Sequence, residues 1–293
     1  GIVNLEFKDA PARQYLNATL GGYYGDLRDG EGVQAGASWG NRFADDTLGL
    51  VLSASYTDIE RNTENYEADG WEDGQPEEFE TRDYNVTRER LGVVAALDWR
   101  ASASSVYRLK GIYNEFGDQE YRRRVIYNLA DGEIERELKD RYEEQQIWNA
   151  YFDGENVFDN GAMLSYRLSF AYAEEAEPTA NYPVFIQEDV EFDPAFAGGW
   201  FQPNPLNQNT DEFFFDELET NDNSTEESNT IARVDYSQPF ANGKWSIGAK
   251  YRGSEKETDV TVFVYGSDED LILSDYTDPD YFEGRIVQNE YIS

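Results

Sequence analysis

Asp275, Asp278, Asp280 and Glu283 crowd four carboxylates into one short stretch, enough oxygen to attract a hard cation such as calcium. The spacing has no glycine at the sixth position and no glutamate at the twelfth, so it is not an EF-hand loop. Calcium is a weak expectation here, a solvated acidic surface is the stronger one, and no other cofactor is implied. Carboxylate pairs are also the raw material of glycoside hydrolysis, but among 60 acidic residues some pair always falls at a suitable distance. With no Cys and no His, thiolate nucleophiles, histidine bases and the usual zinc ligands are all missing. No phosphate-cradling loop, nucleophile elbow or dinucleotide fingerprint occurs, and the expectation is a protein that is not an enzyme.

The aromatic residues offer binding chemistry instead. Trp71, Trp200, Phe201, Tyr276 and Tyr281 lie in acidic, turn-rich stretches, where a ring can pack on the C–H face of a sugar while carboxylates accept its hydroxyls. Each equally describes an anchor that packs its own loop, and that structural role is the favoured one. The run Phe213-Phe214-Phe215, flanked by acids on both sides, reads either as a buried loop strand or as a ligand platform.

Charge narrows the partners further. The formal net charge is −36 and the sequence pI about 4.1, which rejects DNA and RNA as partners because nothing would neutralise a run of phosphates. The cluster Arg122-Arg123-Arg124 sits among acids and reads as local charge pairing in a solvated loop. Nearly all the excess acid falls in four stretches, 58–88, 115–142, 173–228 and 254–293. Those stretches are expected to be long loops.

Between them the chain alternates apolar and polar residues with period two. Val33, Ala35, Ala37 and Trp39 answer Leu48, Leu50, Leu52, Ala54 and Tyr56 across the turn at 41–46. The layout recurs in Leu91–Trp99 with Tyr107–Tyr113, in Trp148–Phe152 with Leu164–Tyr172, and in Ala232–Tyr236 with Trp245–Tyr251. With an opening strand near Tyr15–Tyr24 this gives about nine antiparallel strands, short turns at one end and long acidic connections at the other. The opposite faces carry Arg100, Arg108, Lys110, Arg167, Arg233, Lys250 and Arg252, which suit the wet lumen of a barrel and not lipid. Tyr and Trp near the ends of the apolar rows suit membrane interfaces. No apolar run approaches the roughly 18 residues of a membrane helix.

Two stretches carry a family resemblance. Gly1-Ile2-Val3-Asn4-Leu5-Glu6-Phe7-Lys8, closed by Pro11, resembles the last plug strand of TonB-dependent receptors of the bacterial outer membrane. Ala35–Tyr56, through Asn41-Arg42-Phe43, Asp45-Asp46-Thr47 and Leu52-Ser53-Ala54-Ser55-Tyr56, is similar to the first periplasmic turn and flanking strands of a proteobacterial branch associated with oligosaccharide uptake. The likeness covers roughly 1–115 and is generic beyond it.

The resemblance implies an all-β fold, an incomplete antiparallel transmembrane barrel of about nine strands out of a probable 22. It divides the chain into 1–12, the end of a plug, and 13–293, a partial barrel with its loops outside the cell. The implied function is import of a nutrient, an oligosaccharide first, in contact with outer-membrane lipid. The implied energy source is the TonB coupling protein, acting through a segment ahead of Gly1. Two other readings stand beside it: an iron-chelate receptor of the same family, and a soluble acidic β-protein that binds carbohydrate or serves as a surface structure.

Overall fold

The computed structural model describes residues 9–276, 279–282 and 284–292. They form an all-β fold dominated by one antiparallel sheet. Its strands are β1 (Tyr15–Gly25), β2 (Gly30–Phe43), β3 (Leu48–Glu72), β4 (Gln75–Ser102), β5 (Ser105–Asn128), β6 (Glu133–Val157), β7 (Met163–Gln187), β10 (Phe214–Phe240), β11 (Gly243–Gly266) and β12 (Val287–Ile292). Each strand pairs with the one before it in this series, so the sheet is a ten-stranded meander. A small hairpin, β8 (Ala195–Ala197) and β9 (Trp200–Gln202), forms within the excursion between β7 and β10. Among the described residues β1 and β12 pair on one side only and bound the sheet. No helix there is long and apolar enough to cross a membrane.

The turns at one end fall where the alternation stops: 44–47, 103–104, 158–162 and 241–242. The acidic stretches differ from expectation. Strands β3 to β7, β10 and β11 are 24 to 28 residues long and run straight through most of 58–88 and 115–142 and much of 173–228. Only the excursion 188–213 and the segment after β11 leave the sheet at length. At about 3.3 Å per residue a 25-residue strand reaches roughly 80 Å. The β3–β4 tip is the two-residue turn Asp73-Gly74, both with positive φ, a pairing that closes a hairpin without splaying its strands.

Register assigns every side chain to one of two faces. One row of partners reads Leu50, Leu97, Leu109, Phe152, Leu168, Ala232 and Tyr251 from β3 to β11. A neighbouring row on the same face reads Trp39, Leu52, Ala95, Gly111, Ala150 and Phe170. These rows make a continuous apolar band at the turn end, left open on its outer side: Leu168 is 56% exposed and Ile247 65%. The packed apolar core lies elsewhere, at the far end of the sheet.

Candidate functional site

The charged face begins beside the turns with a single row, Arg42, Gly49, Asp98, Arg108, Asp153, Arg167, Arg233 and Lys250, one residue from each of β2 to β7, β10 and β11. Arg42 crosses over Gly49 to grip the Asp98 carboxylate with both guanidinium nitrogens, at 2.9 and 2.8 Å. A Cβ on Gly49 would collide with that carboxylate and with Ala10, so glycine is what lets the arginine span two strands. Arg108 donates to Asp153 at 2.8 Å, and Arg233 to Asp235 at 2.6 Å. Lys110 reaches Asp9 at 3.5 Å, while Ala10 is buried against Val51 and Ala96, so residues 9 and 10 lie across this face. Over β4 to β6 this side of the sheet is enclosed, with Asp98, Lys110 and Asp153 at 6%, 7% and 8% exposure, and it opens toward β7, β10 and β11, where Arg167, Arg233 and Lys250 are exposed.

All seven basic residues singled out from sequence, Arg100, Arg108, Lys110, Arg167, Arg233, Lys250 and Arg252, fall on this face and none on the apolar band. Residues 1–8 lie outside the described part of the chain.

Higher on the same face the acids and bases are knitted together. Glu80 pairs with Arg82 and Arg124; Glu137 pairs with Arg122 and, at 3.4 Å, with Arg124; Glu120 takes Lys139 and Arg141, each at 3.2 Å. Arg122 and Arg124 are therefore locally paired, as expected, but on strand β5 and not in a loop, while Arg123 between them belongs to the other face. Burial works to raise the Glu80 carboxyl, yet the hydrogen bond and charge of Arg124, with Arg82, hold it below its ordinary range. Glu135 goes the other way. Burial lifts its carboxyl, Glu137, Asp216 and Glu78 add to the rise, and Arg124 only partly opposes it.

On the other face, above the apolar band, the rows turn acidic and then aromatic. The β8–β9 hairpin folds back over β3 and β4: Phe201 packs on Phe79 at 5.2 Å and Phe196 at 5.4 Å, Trp200 approaches Tyr66 at 6.0 Å, and Trp71 stacks on Phe196 at 6.4 Å. Phe201 is 9% exposed and anchors its loop, while Trp200 and Trp71 stay 66% and 57% exposed. Tyr276 and Tyr281 belong to a second cluster around Phe185 and Phe282, and the Tyr281 hydroxyl is held by the Ile272 backbone at 3.1 Å. The five candidates thus separate into two groups, three on the hairpin side and two on the core side. Of the triplet, Phe213 is wholly buried and Phe214 is exposed.

Sequence reasoning missed a groove beside the second cluster, of about 650 Å³. Its floor is one register row, Asn85, Tyr121, Asp140 and Asn181, contributed by β4, β5, β6 and β7. The next row adds Asp83, Arg123 and Leu138. Arg28, from the β1–β2 link and ion-paired to Asp83, closes one end; Tyr276, Phe282 and Leu218 close the other. Cross-strand register alone brings these residues together, and no spacing along the chain announces it.

Of the calcium candidates, Asp278 and Glu283 lie outside the described residues, as does the side chain of Asp280. No group of three or more potential metal ligands is assembled among the described residues. Compared with known proteins, the chain matches no family model and is not significantly similar to any curated sequence.

Proposed function

We propose that this chain is part of an outer-membrane, TonB-dependent receptor that captures and imports a nutrient, an oligosaccharide in preference to an iron chelate. One observation carries the reading: a single sheet divides into an open apolar band and a charged face, strand after strand in unbroken register through the band, and the charged face is enclosed over β4 to β6. In β4 the band runs from Leu91 to Trp99, the nine or so residues that a tilted strand needs to cross hydrocarbon.

Aromatic pairs mark both of its limits. Trp99–Tyr107 and Tyr236–Trp245, each at 5.5 Å, lie near the turns, and Trp148–Tyr172, at 6.1 Å, lies at the far edge. Rings at those depths suit the two membrane interfaces. A water-facing sheet would expose one wide greasy patch and invite aggregation. Two unpaired edges in hydrocarbon cost several kcal/mol for each unsatisfied backbone group, so the reading requires further strands to complete the wall. A net charge of −36 favours a neutral cargo over an anionic chelate.

The test is growth of the parent organism on neutral linear oligosaccharides, with the gene intact, with it deleted, and without TonB. Loss of uptake in both deletions is expected. Undiminished uptake, or the protein found in the soluble fraction, contradicts the proposal.

A further inference from the structure

The groove lies on the same face as the apolar band, not on the charged face. Parity fixes this, because β3, β4, β5 and β6 pair without a register shift from the band up to the groove: Leu52, Ala95, Gly111 and Ala150 form a row below, Asn62, Asn85, Tyr121 and Asp140 a row above. In the transport reading this is the outside of the wall, beyond the lipid.

The chemistry of the floor is specific. Side chains in one row stand about 4.8 Å apart from strand to strand, so Asn85 to Asn181 spans roughly 14 Å. That is close to the length of three linked pyranose units lying across the strands. Along it come an amide, a phenol ring, a carboxylate and a second amide. Tyr121 is 51% exposed, and its hydroxyl, the Asn181 amide and the Arg123 guanidinium make no hydrogen bond among the described residues. Asp140 is steadied by Gln119 at 2.9 Å and Asp83 by Arg28, so both carboxylates are held in place and keep acceptor capacity. Of the four bases that line the groove, Arg122 and Lys139 are ion-paired with Glu137 and Glu120 and Arg28 with Asp83, which leaves Arg123 set against Asp140 and no unpaired excess of either sign. A polyanion is repelled by the rest of the chain. An extended peptide would seek a sheet edge rather than a face. An apolar ligand would strand the amides. A chain of hydroxyls with C–H faces satisfies ring, amides and carboxylate together.

We propose that this groove binds an uncharged linear glycan of about three sugar units, laid across β4 to β7 on the outward side of the wall. Its glycan chemistry rests on the uptake reading; its place on the sheet does not. Two sources share that chemistry, the imported oligosaccharide and glycan displayed on the surrounding cell surface.

The experiment is calorimetric titration of the full chain, purified in detergent, with cellotriose, xylotriose, maltotriose and mannotriose, and with trigalacturonate as the charged comparison. At least one neutral trisaccharide should saturate. Tyr121→Ala and Asn181→Ala should each weaken it about tenfold or more. Tyr121→Phe should keep the stacking and most of the affinity, which separates lost contact from misfolding. Tyr84→Ala, one residue before Asn85 and so on the opposite face, should change nothing. Binding to none of the neutral sugars, preference for trigalacturonate, or an undisturbed Tyr121→Ala overturns the proposal.

Uptake by cells carrying Tyr121→Ala separates the sources: reduced uptake identifies cargo, and normal uptake with lost binding identifies surface glycan. Binding without any uptake by the unaltered protein would sink transport and leave the groove standing. Uptake without binding would do the reverse.

Discussion

Gly49 carries more consequence than its size suggests, because the Arg42–Asp98 pair passes directly over it. Both side chains are buried, at 4% and 7% exposure, so displacing one leaves the other charged and unpaired. Breaking such a pair costs about 3–5 kcal/mol. Gly49→Ala should therefore lower the unfolding free energy by an amount of that order in denaturant titration, whereas Gly36→Ala, where a Cβ meets only ordinary van der Waals contacts, should cost far less. An unchanged midpoint for Gly49→Ala would refute the role assigned to the glycine.

Glu135 gives the opposite kind of prediction. Its carboxyl is raised in the folded state, so the fold is favoured while it is protonated and loses stability as pH climbs through the ordinary carboxylate range and the raised value. Glu135→Gln should thus slow amide exchange in β5 and β6 at about pH 7 by up to roughly 1 kcal/mol. The gain should vanish in acid, where both forms are neutral. Glu80 runs the other way: its lowered carboxyl stabilises above the ordinary range, and that contribution is lost as pH falls through the depressed value. Neither behaviour was legible in sequence, where Glu80 and Glu135 are two acids among many; their neighbours come from adjacent strands.

At the scale of the strand, period-two alternation located the turn-end half of nearly every element. Leu91, Val93, Leu97, Leu164, Leu168 and Phe170 lie on one common face of the sheet, as the alternation implies. The far halves were not legible for a physical reason. Charged residues on one face and a mixture of acids, amides and rings on the other break the hydrophobic alternation, and what holds these halves is backbone pairing, ion pairs such as Arg124–Glu80 and the core around Phe185, none of which alternation reports. One local signal did exist, Asp73-Gly74, a two-residue hairpin turn in the middle of a stretch expected to be loop.

The two halves should respond differently to the same change. Leu168→Arg, in the band, should reduce insertion into lipid by about 2–4 kcal/mol, read as the folded fraction recovered in vesicles. Thr225→Arg, farther along the sheet and on the charged face, should have little effect. In the excursion, Phe201→Ala removes the anchor against Phe79 and Phe196 and should open 188–213 to protease, with a local cost of about 3 kcal/mol, while Trp200→Ala should not. Equal cleavage in the two variants would remove the distinction between anchor and exposed ring.

For the molecule as a whole, the partition into faces is the feature on which the proposed wall in lipid and a sheet in water differ, and the alternation of the sequence made it the most legible one. The groove lies at the other extreme: Asn85, Tyr121, Asp140 and Asn181 are spread over about a third of the chain and meet only through register. The chain's lack of cysteine makes the partition directly measurable. Single cysteines at Leu97, Leu109 and Leu168, and at Arg108, Arg167 and Arg233, would be spin-labelled in the complete protein in lipid bilayers. Collision with dissolved oxygen would then be compared with collision with a water-soluble nickel complex. The account predicts oxygen-dominated relaxation at the three leucine sites and nickel-dominated relaxation at the three arginine sites. Nickel access at Leu97, Leu109 and Leu168 equal to that at the arginine positions would contradict it.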